Sequence, residues 1–187
     1  ASLWDLGDGV VGVEFHTVKG ANAIDPAVFE VLNDSIKLIN ESGGKYKAMV
    51  IYNEGNHFSV GANLGLIDVF SKAADIVPFG FLRNKAQAKL ANFVDDLVYT
   101  GQAVYKALRE APFPVIGAPN GMALGGGCEV LLHCDSIQSG PEVYTGLVEA
   151  GVGIIPGWGG CARHLERSQD AAKMNGPMQA LSNSVLA

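Results

Sequence analysis

Gly121-Met122-Ala123-Leu124-Gly125-Gly126-Gly127-Cys128-Glu129 is the stretch that decides how this chain is read. It follows Pro114 to Ala118, an apolar run that reads as a buried strand. It leads into Glu129 to Cys134, which continues as a helix beginning near Cys128. Glycines let a backbone approach a ligand and present bare N–H groups to it. The first amides of a helix lack an internal acceptor, and the positive end of its dipole faces the turn. An oxyanion placed there is stabilised; losing one such donor typically costs about 3–4 kcal/mol of transition-state stabilisation. A tight packing turn would use the same glycines, so the motif needs support from elsewhere in the chain.

That support comes from two further runs. Gly146-Leu147-Val148-Glu149-Ala150-Gly151 holds a second glutamate among glycines, and His57-Phe58-Ser59-Val60-Gly61-Ala62-Asn63-Leu64 lies upstream. Taken singly, Glu129 is explained by the favourable dipole of a first helical turn, and Glu149 by a solvated loop. Taken together, two carboxylates beside a surface of bare N–H groups can move protons or hold a water molecule. The combination points to an enzyme that polarises a carbonyl and does acid–base chemistry on the neighbouring carbons.

Other chemistries fail on spacing. A dinucleotide fingerprint needs Gly-x-Gly-x-x-Gly after a strand, which neither the 121–127 run nor Gly151-Val152-Gly153-Ile154-Ile155-Pro156-Gly157 provides. No Gly-Lys-Ser/Thr phosphate loop and no Gly-x-Ser-x-Gly nucleophile elbow is present. His133-Cys134-Asp135 has the residue types of a catalytic triad, but adjacent helical residues point in different directions, so a structural role is expected. His16, His57 and His164 show no ligand spacing with the cysteines, and no metal site is assigned.

The 187 residues suit one domain with a substantial core, and a composition of 48% hydrophobic and 17% charged residues argues for a globular chain. A net charge of −6 speaks against nucleic-acid binding but leaves an anionic small ligand open. No apolar run reaches membrane-spanning length, and no basic region leads into a signal sequence. Cys128, Cys134 and Cys161 are odd in number and read as reduced thiols, which fits a bacterial cytoplasm or an organellar matrix.

Strands and helices alternate along the chain, implying an α/β fold. Leu3 to Leu6 and Val10 to Phe15 read as paired strands across a Gly-Asp-Gly turn. Asp25-Pro26 starts a helix carrying Phe29, Leu32, Ile36 and Ile39, and Gly43-Gly44 stops it. Ala48 to Tyr52 is a buried strand running into the polar loop Asn53 to His57. Ile76 to Leu82 reads either as a mobile cover over a hydrophobic ligand or as a loop packed on the core. Leu90, Phe93, Leu97, Val104 and Leu108 mark a long helix with Gly101 in its middle. Ser136 to Ser139 is a short strand, and Gly159-Gly160 opens a helix through Leu165, after which the pattern weakens.

In combination the motifs resemble the crotonase superfamily, the enoyl-CoA hydratase/isomerase fold. Four segments match in order: Ala21-Asn22-Ala23-Ile24; His57 to Leu64; Gly121 to Glu129 and on to Asp135; and Gly146 to Glu149 with Pro156-Gly157-Trp158-Gly159-Gly160. The resemblance covers residues 1–166 and implies a superhelix of repeated β-β-α units, with 167–187 starting a C-terminal helical region. It implies that the N–H groups of Ala62 and Gly126 form an oxyanion hole for a thioester carbonyl. Glu129 and Glu149 would hold one water, Glu129 helping to deprotonate it for attack at C3 and Glu149 delivering a proton to C2. Ala21, Ala23, Gly61, Asn63 and Leu64 would line the path of coenzyme A, which enters as part of the substrate, with no separate cofactor.

The implied activity is hydration of trans-2-enoyl-CoA to 3-hydroxyacyl-CoA in fatty-acid β-oxidation. The alternatives are an enoyl-CoA double-bond isomerase and a non-catalytic acyl-CoA-binding or assembly domain. Asn63 stands where the family usually has aspartate, which should touch ligand-loop geometry more than chemistry. Standalone relatives continue into helices that cover the site and build a homo-oligomer. The chain is therefore expected to be the hydratase part of a larger multifunctional protein with a 3-hydroxyacyl-CoA dehydrogenase region.

Overall fold

The structure, a computed structural model, describes residues 1–16, 22–63 and 80–175. Ala21, Leu64, residues 76–79 of the expected cover and the tail beyond 175 lie outside the described residues.

Strands β1 (Ser2–Asp5) and β2 (Val10–Glu14) pair antiparallel across a turn in which Gly7, Asp8 and Gly9 all have positive φ. From β2 onward the main sheet is parallel: β4 (Ala48–Tyr52) pairs with β2, β6 (Val115–Ala118) with β4, and β8 (Ser136–Ile137) with β6. A second tier of short parallel pairs lies beside it, β3 (Ala23–Ile24) with β5 (Gly61–Ala62), and β7 (Met122–Leu124) with β9 (Tyr144–Gly146). A bridge between Ser59 and Ala123 links the two pairs. Each turn of chain thus supplies one strand to each tier before a helix carries it onward. Among the described residues the α-helices are α1 (Pro26–Glu41), α2 (Gly80–Arg109), α3 (Gly126–His133) and α4 (Gly160–Asn175). This is the stacked β-β-α superhelix of the crotonase fold.

The reasons for these elements are local. The Asp25 carboxylate accepts the Val28 N–H at 3.2 Å, Pro26 sits in the first turn of α1, and Gly43 and Gly44 take positive φ after it. Phe29, Leu32 and Ile39 of α1 pack with Val11 and Val13 of β2, Met49 and Ile51 of β4, Val115 of β6, and Val104, Tyr105 and Leu108 of α2. Asn22 pins the second tier to the first: its buried amide donates to the carbonyls of Phe15 at 2.8 Å and His57 at 2.9 Å. His133, Cys134 and Asp135 each bond a different backbone group, those of Glu129, Val130 and Val115, so they form no triad.

Four short strands were not evident in the sequence, because pairs and triplets such as Ala23-Ile24 and Gly61-Ala62 are too short to show a period. Helix α2 starts at Gly80, ten residues before Leu90, the first apolar position of its expected stripe, and takes in the end of the expected cover. Helix α4 runs ten residues past Leu165 to Asn175. Its second half, Gln169-Asp170-Ala171-Ala172-Lys173-Met174, offers good helix formers without an apolar face. Arg167 adds an anchor by donating to the carbonyls of Leu132 and Cys134 at the end of α3.

Gly101 is explained by what faces it. A Cβ there would stand 2.4 Å from Nε1 of Trp158, whose ring also meets Phe29 and Tyr105 edge-on at centroid distances of 5.2 and 5.6 Å. Helix propensity alone favours Gly101→Ala by about 1 kcal/mol, whereas overpacking a core costs about 1–3 kcal/mol. Packing dominates because the neighbour is a rigid, buried indole. Gly101→Ala is therefore expected to lower the urea midpoint of unfolding, and a raised midpoint would show that propensity prevails.

Candidate active site

The turn between β7 and α3 is built from three consecutive glycines, each held from outside. Gly125 has φ +53° and ψ −124°, a conformation that side-chain-bearing residues avoid, and its N–H donates to the Gly146 carbonyl at 2.9 Å. Gly126 lies against the Trp158 ring, where a Cβ would come within 2.2 Å of Cζ3. Its carbonyl accepts the Tyr105 hydroxyl at 3.1 Å. Gly127 abuts Ser59, 2.7 Å from where a Cβ would be. Helix α3 begins at Gly126, two residues earlier than the sequence suggested, so the Gly126 N–H is among the first four that lack an intrahelical acceptor. The Glu129 N–H bonds the Gly125 carbonyl at 2.9 Å, which belongs to the same peptide group as the Gly126 N–H and polarises it.

Strand β5 comes up beside this turn. A Cβ on Gly61 (φ +94°) would be 3.0 Å from the Leu124 carbonyl oxygen and 3.3 Å from the Gly126 nitrogen. Asn63 donates to the Ile24 carbonyl at 3.0 Å, and by strand alternation the preceding Ala62 N–H turns away from β3. Ala62 and Gly126 are thus neighbouring donors outside the ladders. Ala23 is registered against Gly61 and Ile24 against Ala62.

The two carboxylates converge on the same turn. Glu129 is buried (1% exposed), and its Oε1 accepts the N–H groups of Trp158 at 2.8 Å and Gly160 at 2.9 Å. Register brings in the other: Leu124 pairs with Gly146, and Glu149 opens a 3₁₀ turn, Glu149–Val152, three residues later. A Cβ on Gly125 would be 3.3 Å from Glu149 Oε1, while Oε2 is buried with no hydrogen-bond partner among the described residues. Burial raises the Glu129 pKa, and the Glu149 charge adds to the rise; the Gly160 and Trp158 N–H groups oppose it. The Cys128 thiol beside the pair is pushed up to about 11, chiefly by burial. Burial holds His133 below the usual imidazole value, so its neutral ring donates from Nδ1 to the Glu129 carbonyl at 2.8 Å.

The structure therefore gathers Ala62, Gly126, Glu129 and Glu149 around one turn, with Ala23, Gly61 and Asn63 on the adjoining ladder. The parts that sequence reasoning missed are the supports. Tyr105 gave no signal, since it lies outside the stripe read from Leu90, Phe93, Leu97, Val104 and Leu108. The Gly159-Gly160 pair signals a helix start, but nothing in its spacing shows that Glu129 accepts the N–H groups of Trp158 and Gly160.

Two neighbouring N–H donors and two carboxylates thus meet at one turn of a β-β-α superhelix, the architecture of the crotonase fold. The enoyl-CoA hydratase/isomerase family profile matches residues 5–175, and the chain belongs to that family. It is 36% identical over 191 aligned residues to a probable 3-hydroxyacyl-CoA dehydrogenase of Bacillus subtilis, a match covering 100% of this chain and 21% of that protein. A putative fatty acid oxidation complex trifunctional enzyme of Rickettsia prowazekii is 33% identical over 147 residues, covering 79% of this chain and 18% of that protein. The chain thus spans about a fifth of the length of the curated relatives it matches. Among solved structures, an enoyl-CoA hydratase from Bacillus anthracis superposes with a TM-score of 0.69 at 25% identity, covering 100% of this chain and 62% of that one. One from Polaromonas sp. JS666, at 21% identity and a TM-score of 0.71 over 88% of this chain and 57% of that one, shares the fold.

The raised Glu129 pKa has a stability consequence. The folded state holds that proton more tightly than the unfolded chain does. The stability is therefore fully present below the ordinary carboxylate value and is lost as pH rises through the raised one. Glu129→Gln keeps an oxygen for both N–H groups and removes the charge. Its stability advantage over the parent is expected to grow from pH 4 upward and then level off. Denaturant melts across that range check this, and an advantage that shrinks with rising pH would reverse the sign.

Proposed function

We propose that this chain catalyses the reversible addition of water to trans-2-enoyl-CoA, giving 3-hydroxyacyl-CoA. The observation that carries the reading is the unequal pair of carboxylates at one glycine turn. Glu129 is fixed through Oε1 by two N–H groups, and Glu149 keeps a buried oxygen unengaged among the described residues. In this reading the thioester carbonyl sits between the Ala62 and Gly126 N–H groups, which stabilise the enolate as electrons move onto oxygen. Glu129 takes a proton from water as its oxygen adds to C3. Glu149 delivers a proton to C2, and proton exchange between the carboxylates resets the site. Ala21, Ala23, Gly61, Asn63 and Leu64 are assigned to the coenzyme A path by family resemblance. No cofactor besides the coenzyme A of the substrate takes part.

The relatives, a probable 3-hydroxyacyl-CoA dehydrogenase and a putative trifunctional fatty-acid oxidation enzyme, support a larger setting in which the 3-hydroxyacyl product passes to a dehydrogenase region of the same protein. An isomerase of this family would also use the oxyanion hole, but it moves a proton between carbons without net addition of water.

The test follows loss of enoyl-thioester absorbance with crotonyl-CoA and with a longer 2-enoyl-CoA. Glu129→Gln and Glu149→Gln are each expected to lower kcat by about 10²–10⁴, the range typical of losing a positioned acid or base, with the fold intact by circular dichroism. Near-normal turnover in either variant would sink the assignment. Conversion of a 3-enoyl-CoA to its 2-enoyl isomer, without hydration of the latter, would move it to isomerase. Binding of both thioesters without turnover of either would leave a binding domain.

A further inference from the structure

We infer that Tyr105 is a positioning residue for the Gly126 N–H, an inference that rests on the oxyanion-hole reading above. Tyr105 is fully buried on α2, among Phe29, Trp158 and His133, in a packing environment that a phenylalanine would fill equally well. Its hydroxyl is therefore not needed for the core, and burying it stabilises nothing unless it is bonded. The partner is the carbonyl of Gly126, at 3.1 Å.

That carbonyl is a sensitive place to apply a restraint. Three glycines in succession have more conformational freedom to lose than any other tripeptide, and none has a side chain with which to anchor itself. Gly125 is tied through its N–H to β9, and Gly127 is wedged against Ser59. Gly126 is the first residue of α3 and has the flat Trp158 ring on one side, which limits where it sits. The hydrogen bond from Tyr105 fixes the plane that follows Gly126, and the Glu129 N–H fixes the plane that precedes it through the Gly125 carbonyl. The preceding plane carries the Gly126 N–H itself, and the Tyr105 bond holds the following plane and with it the Cα about which that N–H would swing. Burial and the Glu129 charge hold the Tyr105 pKa well above the usual phenol value, so the hydroxyl stays a donor across the working pH range.

Tyr105→Phe tests this in the intact protein. With crotonyl-CoA, kcat is expected to fall about tenfold with KM within twofold, less than the 10²–10³ of deleting an oxyanion donor outright. A second readout separates positioning from packing. Acetoacetyl-CoA forms an enolate with its own ultraviolet band, so spectrophotometric titration of the bound thioester reports how well the site holds negative oxygen. Tyr105→Phe is expected to raise the apparent pKa of bound acetoacetyl-CoA while leaving the affinity for saturated butyryl-CoA unchanged. Leu108→Val, a core change one turn along α2, should lower the unfolding midpoint without moving either readout.

Unchanged kcat and an unchanged enolate titration in Tyr105→Phe would overturn the inference. So would equal weakening of both thioesters in step with a lowered midpoint, which is a structural role alone. If the parent binds thioesters without hydrating crotonyl-CoA, the hydratase reading fails separately, and the enolate titration still decides the role of Tyr105.

Discussion

A single carboxylate oxygen holds this architecture together at its functional end. Glu129 Oε1 is the shared acceptor for the N–H groups of Trp158 and Gly160. One of those residues lays its ring on the glycine turn, and the other is the first residue of α4. The segment that follows Glu149 is thereby stitched to the helix that begins at the turn. Charge-assisted bonds of this kind are about twice as strong as neutral ones. Even so, they do not outweigh the desolvation of the carboxylate, whose pKa stays raised. The fold thus accepts an energetically costly group at its centre, as acid–base sites commonly do.

Much of the fold was readable because its long elements follow simple periods. Ala48 to Tyr52 and Val115 to Ala118 are continuous apolar runs, as strands covered on both faces must be, and Asp25-Pro26 announces α1 in two residues. The second tier was hidden, because a strand of two or three residues carries no periodicity. Its existence rests on register, on the Asn22 amide and on glycines whose φ is positive. The extra turns of α2 and α4 were hidden for the opposite reason. Their sequences favour a helix through propensity while lacking the apolar stripe by which helices are recognised.

For the site, the order of glycine runs and glutamates in the chain pointed to Ala62, Gly126, Glu129 and Glu149, which the fold brings to one turn. What it could not provide is the three-dimensional support. Trp158 is 32 positions from the Gly126 it covers, and Tyr105 is on a different helix from the carbonyl it bonds. Contacts of that kind leave no local pattern. They become visible only once the superhelix brings α2 and the 157–160 segment against the start of α3.

The buried thiol of Cys128 takes on a further meaning in this setting. A 2-enoyl thioester is an electrophile, and a thiolate within reach of its β-carbon would add to it and alkylate the protein. With the thiol pushed up to about 11, chiefly by burial and also by the neighbouring carboxylates, the thiolate is scarce at pH 7. In the proposed reaction, the same apolar, anionic surroundings would keep sulfur from competing with water for the thioester.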